Sequence, residues 1–350
     1  MKEKTLTKVL ILGRIIARIS KQYLVGGEKM IRNRNRRITA ITIIAIVSTL
    51  VLVGAFFLGR YIYRQYRVDF GFGVHDTLPE GNGKKATVIL LGGQSNAAGC
   101  SQVEYLEKNV SPEKFAEYEN GYDNVYINYY VTGTNESREF VRCAVGQGEA
   151  GGHFGPELGL AEKLHEAYPD ELFFIVKCTW SGTDLYSQWL SPSSEGKTGD
   201  LYRGFMDFAR MNVKYLRSKG YDVSIEGLCW MQGESDSFFV ETATGYEENL
   251  NNFIADIRKK LSSYAAEDGI ALVDAYIADN PVYWVYCDLV NASKRAVADA
   301  SPLNVVIDTN AAGLTCANEP EETPDMAHYD SLSEIKLGHL FAAEPTKFLD

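Results

Sequence analysis

The stretch "ATVILLGGQSNAAGC", residues 86–100, decides how the rest of the chain is read. Thr87 to Leu91 is an unbroken apolar run, as in a strand buried on both faces, and Gly92 and Gly93 let the backbone turn tightly at its end. The polar triplet Gln94-Ser95-Asn96 follows at once. Ser and Asn are favoured helix N-caps, so a plain strand-to-helix turn is one reading. The other gives the Ser95 hydroxyl a chemical task, because open α/β sheets bind ligands outside the carboxyl ends of their strands.

Working outward, apolar strand-like runs alternate with helix-like ones from Ala86 onward. The patterns predict strands over 87–91, 125–130, 172–178, 224–231, 270–276 and 304–307. They predict helices over 156–168, 204–218, 246–264, 288–300 and 332–343, the first opening on Pro156 and stopping before Pro169. The run 172–178 is apolar except for Lys177. Such alternation describes a parallel sheet covered by helices on both faces, and 86–350 has the length of one doubly wound domain. "SPSSEGKTGD", 191–200, reads as a surface loop within it.

The front of the chain is different in kind. Residues 38–58, "ITAITIIAIVSTLVLVGAFFL", form an uncharged run long enough to cross a bilayer as a helix. A cleaved signal peptide is the alternative, but the run is long for one and no small-x-small site follows it. The expected organisation is a basic cytoplasmic segment 1–37, a single-pass anchor 38–58, a juxtamembrane linker 59–85 and an extracytoplasmic domain 86–350. Arg32, Arg34, Arg36 and Arg37 precede the run while Arg60, Arg64 and Arg67 follow it, so the positive-inside bias is modest. "GGEKM" fits a ribosome-binding sequence read through as protein, which makes Met30 a candidate start.

The 350 residues are 45% hydrophobic, an ordinary globular composition. Residues 1–37 hold eleven Lys/Arg against two Glu, a net of +9, so the formal charge of -11 leaves -20 on the remainder. A body this acidic repels nucleic acid and favours a neutral or weakly charged substrate. The six cysteines form no C-x-x-C pair and no zinc-ligand spacing, so no metal site is indicated.

A serine hydroxyl needs a base, usually a histidine oriented by a carboxylate. His75 falls in the linker, and His165 and His339 fall on predicted helices. His153, in "GEAGGHFGPE", has Glu149 and Glu157 as its nearest acids. His328, in "TPDMAHYD", has Asp325 three residues earlier and lies between the last strand and the closing helix, where strand-end loops gather. The strand over 224–231 ends in "CWMQGESD", where Gln232 is a candidate oxyanion donor and Glu234 a second carboxylate, or both simply satisfy the loop's own backbone. "TWSGTDL", 179–185, supplies the backbone N–H of Gly182.

The ordered set Gly93-Gln94-Ser95-Asn96, Phe154-Gly155-Pro156-Glu157, Gln232-Gly233-Glu234-Ser235-Asp236 and Asp325-x-x-His328 resembles the sialate O-acetylesterase and carbohydrate esterase family 6 branch of the SGNH hydrolases. The resemblance covers roughly 86–345. It implies a three-layer α/β/α flavodoxin-like sandwich and removal of O-acetyl groups from sugars without a cofactor. By motif it makes Ser95 the nucleophile, His328 the base, Asp325 or Glu234 the orienting acid, and Ser95, Gly182 and Gln232 the oxyanion hole. Gln94, Asn96, Glu157 and Thr183 are the implied substrate contacts. A binding module without turnover and an O-acetyltransferase are the alternatives. Trp180, Trp189 and Trp284 are candidates for stacking on sugar rings or for core.

Overall fold

The computed structural model describes residues 70–343 together with Val47 and Ser48. The expectations for 1–37, for nearly all of 38–58 and for 59–69 lie outside the described residues. Among the described residues no helix is long and apolar enough to cross a membrane.

Six longer strands build the sheet: β1 (Lys85–Gly93), β2 (Val125–Val131), β3 (Phe173–Thr179), β4 (Asp222–Met231), β5 (Ala271–Ala275) and β6 (Asn304–Ile307). They run parallel in the order β6-β5-β4-β1-β3-β2. Two short antiparallel pieces, Asn135–Glu136 and Val141–Arg142, pair with β2 at that edge. Every residue of β1 after Lys85 is buried, as is all of β3 and β5. Since successive side chains in a strand point to opposite faces, helices must cover both sides of the sheet.

The six predicted strands and five predicted helices all form. The helices are α2 (Glu157–Ala167), α3 (Asp200–Ser218), α4 (Tyr246–Leu261), α5 (Cys287–Asp299) and α6 (Ser331–Ala343), with a short α1 (Ser95–Ala98) ahead of them. In α3 the buried positions Tyr202, Phe205, Ala209, Val213 and Leu216 recur at helical spacing and face the core. Two further helices, Val103–Asn109 and Pro112–Asn120, fill the long connection between β1 and β2. Ser111 caps the second by accepting from Lys114 N, with Pro112 at its first position.

Part of the stretch expected as linker, 70–85, is described. Phe70 and Phe72 stack on each other and set their rings edge-on to Tyr130, while Phe72 also meets Phe208 and Phe70 meets Trp180. These aromatic residues gain more by covering the core than by standing in water, so this part of 59–85 packs on the body.

Helices α2 and α6 meet backbone to backbone. A Cβ on Gly159 would lie 2.0 Å from the Ile335 carbonyl oxygen, and one on Gly338 would lie 2.2 Å from that of Pro156. Only glycine allows that approach. It fixes the closing helix, and with it the loop that carries His328, against the helix that follows the Phe154–Glu157 motif.

Candidate active site

The carboxyl ends of β3, β1 and β4 lie side by side, with Gly93 opposite both Thr179 and Met231. The loops that leave them therefore open on one rim, where the chain switches from one side of β1 to the other. Gly93 has φ +138°, and a Cβ there would sit 2.0 Å from the Met231 carbonyl oxygen. Glycine is thus required for β1 to end where it does, and Ser95 becomes the first residue of α1. Its N–H, like that of Gly182 in the turn after β3, has no backbone acceptor among the described residues. Two free N–H groups at strand ends are what an oxyanion needs.

The residue after Ser95 fastens the histidine loop. Asn96 Nδ2 donates to Ala327 O at 3.3 Å and to Glu234 Oε1 at 2.8 Å, while its Oδ1 accepts from Tyr329 N at 3.0 Å. One amide thus grips the backbone on both sides of His328. Ser101 Oγ adds a bond to Tyr329 O at 2.6 Å. His328 Nδ1 and Asp325 Oδ2 are 2.7 Å apart, which makes Nδ1 the donor and leaves Nε2 open to take a proton. Burial raises the Asp325 carboxyl, but the His328 hydrogen bond and the Ala327 N–H outweigh it, and the group lies below its usual range. Among the described residues no hydrogen bond joins Ser95 Oγ to His328, and none joins Glu234 to it.

Gln232, the expected oxyanion donor, is hydrogen-bonded within the loops. Its amide N–H groups go to Asp236 Oδ2 at 2.6 Å and Thr183 O at 2.9 Å, and its Oε1 accepts from the Tyr246 hydroxyl at 3.0 Å. With both hydrogens committed, the side chain braces the loops. Asp236 completes the brace by accepting from Leu185 N at 2.9 Å and Tyr186 N at 3.1 Å, and burial pushes its carboxyl up to about 7. Sequence reasoning quoted Asp236 within its motif but assigned it nothing. A carboxylate just beyond two candidate polar residues was the available signal.

The four residues implied as substrate contacts, Gln94, Asn96, Glu157 and Thr183, are none of them more than 2% exposed and are held by internal hydrogen bonds. Gln94 Oε1 accepts from the N–H groups of Gly233 and Ser235 at 3.3 Å and lies 3.2 Å from Gln232 Nε2. Thr183 Oγ1 donates to Trp180 O at 2.6 Å and accepts from Trp189 Nε1 at 2.8 Å. Glu157 pairs with Lys177 at 2.6 Å, both fully buried, and accepts from Gly155 N at 2.8 Å. Lys177 also donates to Ala98 O and Gln147 O, each at 2.9 Å. The lone charge in an apolar strand is thus a support beneath α1. Polar residues at a strand end stabilise a turn as readily as they meet a ligand, and only tertiary contacts separate the two.

Glu234 is buried, and burial pushes its carboxyl up despite the Asn96 bond and the Lys294 charge. Of the other histidines, His165 bonds Asn124 Oδ1 at 2.6 Å and His339 pairs with Glu162 at 2.7 Å. Both are occupied away from the rim. Trp189 and Trp284 are buried in the core, and Trp180 packs partly buried against it.

Several proteins share this architecture. A protein of Arabidopsis thaliana is 18% identical over 75% of this chain and 98% of its own, with a TM-score of 0.54. NanS is 15% identical over 76% of this chain and 98% of its own, with a TM-score of 0.58. A carbohydrate acetylesterase of Xanthomonas citri is 17% identical over 75% of this chain and 57% of its own, at 0.50. Among curated proteins none is similar enough to serve as a relative. The family described as carbohydrate esterase, sialic acid-specific acetylesterase matches residues 85–347, and the chain belongs to it.

Proposed function

We propose that this chain is a serine-dependent carbohydrate O-acetylesterase. The observation that carries the reading is the Asn96 clamp, which holds the His328–Asp325 pair against the turn that carries Ser95. Ser95 Oγ attacks the acetyl carbonyl as His328 Nε2 takes its proton, and the oxyanion gathers the N–H groups of Ser95 and Gly182. The carbonyl re-forms as the ester C–O bond breaks, and His328 gives its proton to the departing sugar oxygen. Water then attacks the acetyl-serine with His328 again as base, releasing acetate and restoring Ser95. Asp325 keeps the imidazole in the required tautomer and balances its charge when protonated. Glu234 acts at one remove, by orienting Asn96.

The reading extends to location. Residues 38–58 would anchor the enzyme as a single-pass segment with its esterase domain outside the cytoplasm, supported by their length and lack of charge.

The test is acetate release from acetylated xylan, sialic acid and peptidoglycan fragments by the full chain and by Ser95→Ala. The variant should keep its fold and lose at least about 10³-fold in kcat. Undiminished release by Ser95→Ala removes the nucleophile from this scheme, and acetylated acceptor in place of free acetate identifies a transferase.

A further inference from the structure

The loop over 186–201 runs from the oxyanion turn to the start of α3 and borders a cleft of about 440 Å³. That volume lies within the range of small-ligand sites. Phe70 and Trp180 form one wall, their rings edge to face with centroids 6.0 Å apart. Two stretches of the loop, 187–188 and 197–201, form the other.

The second wall is held in place by the loop itself. Gly199 N donates to Leu190 O at 2.8 Å, and Leu201 N donates to Gln188 O at 3.1 Å. A Cβ on Gly199 would lie 2.0 Å from the Gln188 carbonyl oxygen, so the two stretches meet backbone to backbone. Between them, Ser193 fastens the bend to α4 through two bonds to the Asp256 carboxylate, from its N at 2.8 Å and its Oγ at 2.9 Å. Donors are left over on this wall. Gln188 Oε1 accepts from Asp184 N at 3.1 Å, which fixes the amide, while its Nε2 and the exposed Lys197 ammonium have no partner among the described residues.

Trp180 joins the cleft to the reacting atoms. Its N donates to Gly93 O at 3.0 Å, and its carbonyl accepts from Thr183 Oγ1 at 2.6 Å. The backbone of Trp180 thus belongs to the turn that presents Gly182 N–H, while its ring lines the cleft. The two residues from Trp180 to Gly182 span at most about 7 Å. An acetyl group held at Gly182 therefore leaves the next sugar of a glycan within reach of the indole. An indole face accepts the apolar C–H face of a sugar ring, and an amide and an ammonium donate to its hydroxyl groups.

We propose that this cleft is a subsite for the sugar linked to the acetylated one, so that the enzyme acts on acetylated glycan chains ahead of single acetylated sugars. The inference rests on the esterase reading and holds whichever sugar bears the ester. One stacked ring and one hydrogen bond from a charged donor together favour the chain by about 10- to 100-fold in kcat/KM.

The test uses the full chain and two pairs of substrates. One pair is O-acetylated sialyllactose with O-acetylated N-acetylneuraminic acid, and the other is acetylated xylotriose with acetylated methyl xyloside. In the pair that is hydrolysed, the chain member should have a kcat/KM about 10- to 100-fold higher. Thr198→Trp, which fills the cleft, should bring that ratio towards one, and Lys197→Ala, at an exposed position, should lower it about three- to tenfold. A structural defect would lower both members together, so a ratio unchanged in both variants overturns the proposal. A ratio of one or less in the unaltered enzyme overturns it too and requires no variant. Turnover of 4-nitrophenyl acetate with neither chain substrate hydrolysed also overturns it. Inactivity towards 4-nitrophenyl acetate and all the sugars instead defeats the esterase reading beneath it.

Discussion

Two acid–base pairs flank the serine turn, and they have opposite surroundings. Lys177 and Glu157 lie beneath it with both side chains fully buried, whereas His328 and Asp325 lie beside it with 29% and 49% of theirs exposed. The sealed pair is shut off from solvent, with the Lys177 ammonium satisfied by Glu157, Ala98 O and Gln147 O. The open pair is partly exposed to solvent. A buried pair fixes position at a desolvation cost, while a half-exposed one can change its charge during a reaction. On the proposed reading, the same residue classes serve as support below the nucleophile and as chemistry beside it.

Substitutions should pull these roles apart. The largest expected effect is on turnover: His328→Ala should lower kcat on an acetylated sugar by about 10³- to 10⁴-fold, while a urea titration moves by less than about 1 kcal/mol. A variant that loses stability and activity together would show that the open pair is a support too. Next comes Lys177→Met, which strands the Glu157 charge and two backbone carbonyls in the interior. It should cost about 3–5 kcal/mol in the same titration, and adding Glu157→Leu should recover much of that loss. If the single variant is as stable as the parent, the buried pair is not what holds α1.

The smallest effect concerns pH. The Asp236 carboxyl, pushed up to about 7, binds its proton more tightly folded than unfolded, so its stabilising contribution is complete below the ordinary value of 3.8 and is lost as pH climbs through 7. Asp236→Asn should flatten the decline in stability between pH 5 and 7 by about 2 kcal/mol. An unaltered slope in thermal melts across that range removes Asp236 from the account.

What was legible in the sequence follows from how far each signal reaches. The strands over 87–91, 172–178 and 304–307 and the helix over 332–343 lie within about two residues of their observed limits, because burial on one or both faces imposes a period on the residues themselves. The helices Val103–Asn109 and Pro112–Asn120 went unread although Ser111-Pro112 is a cap signal. Each buries few residues, Leu106 in one and Tyr118 in the other, so their apolar period is faint. Within the site, the Asp325–His328 pairing was readable because it is local, three residues apart. The braces formed by Asn96, Gln232 and Lys177 were not, since their partners are distant in sequence and a buried amide looks like an exposed one until its neighbours are known.

The bond from Tyr329 to Asn96 joins positions 233 apart. On the proposed reading, the alcohol therefore emerges during synthesis long before the group that activates it, and it stays inert until the intervening layers have been laid down in register. Recovery of acetate release after dilution from denaturant then times the slowest, most distant closure of the whole domain, a quantity that signals from individual helices would miss.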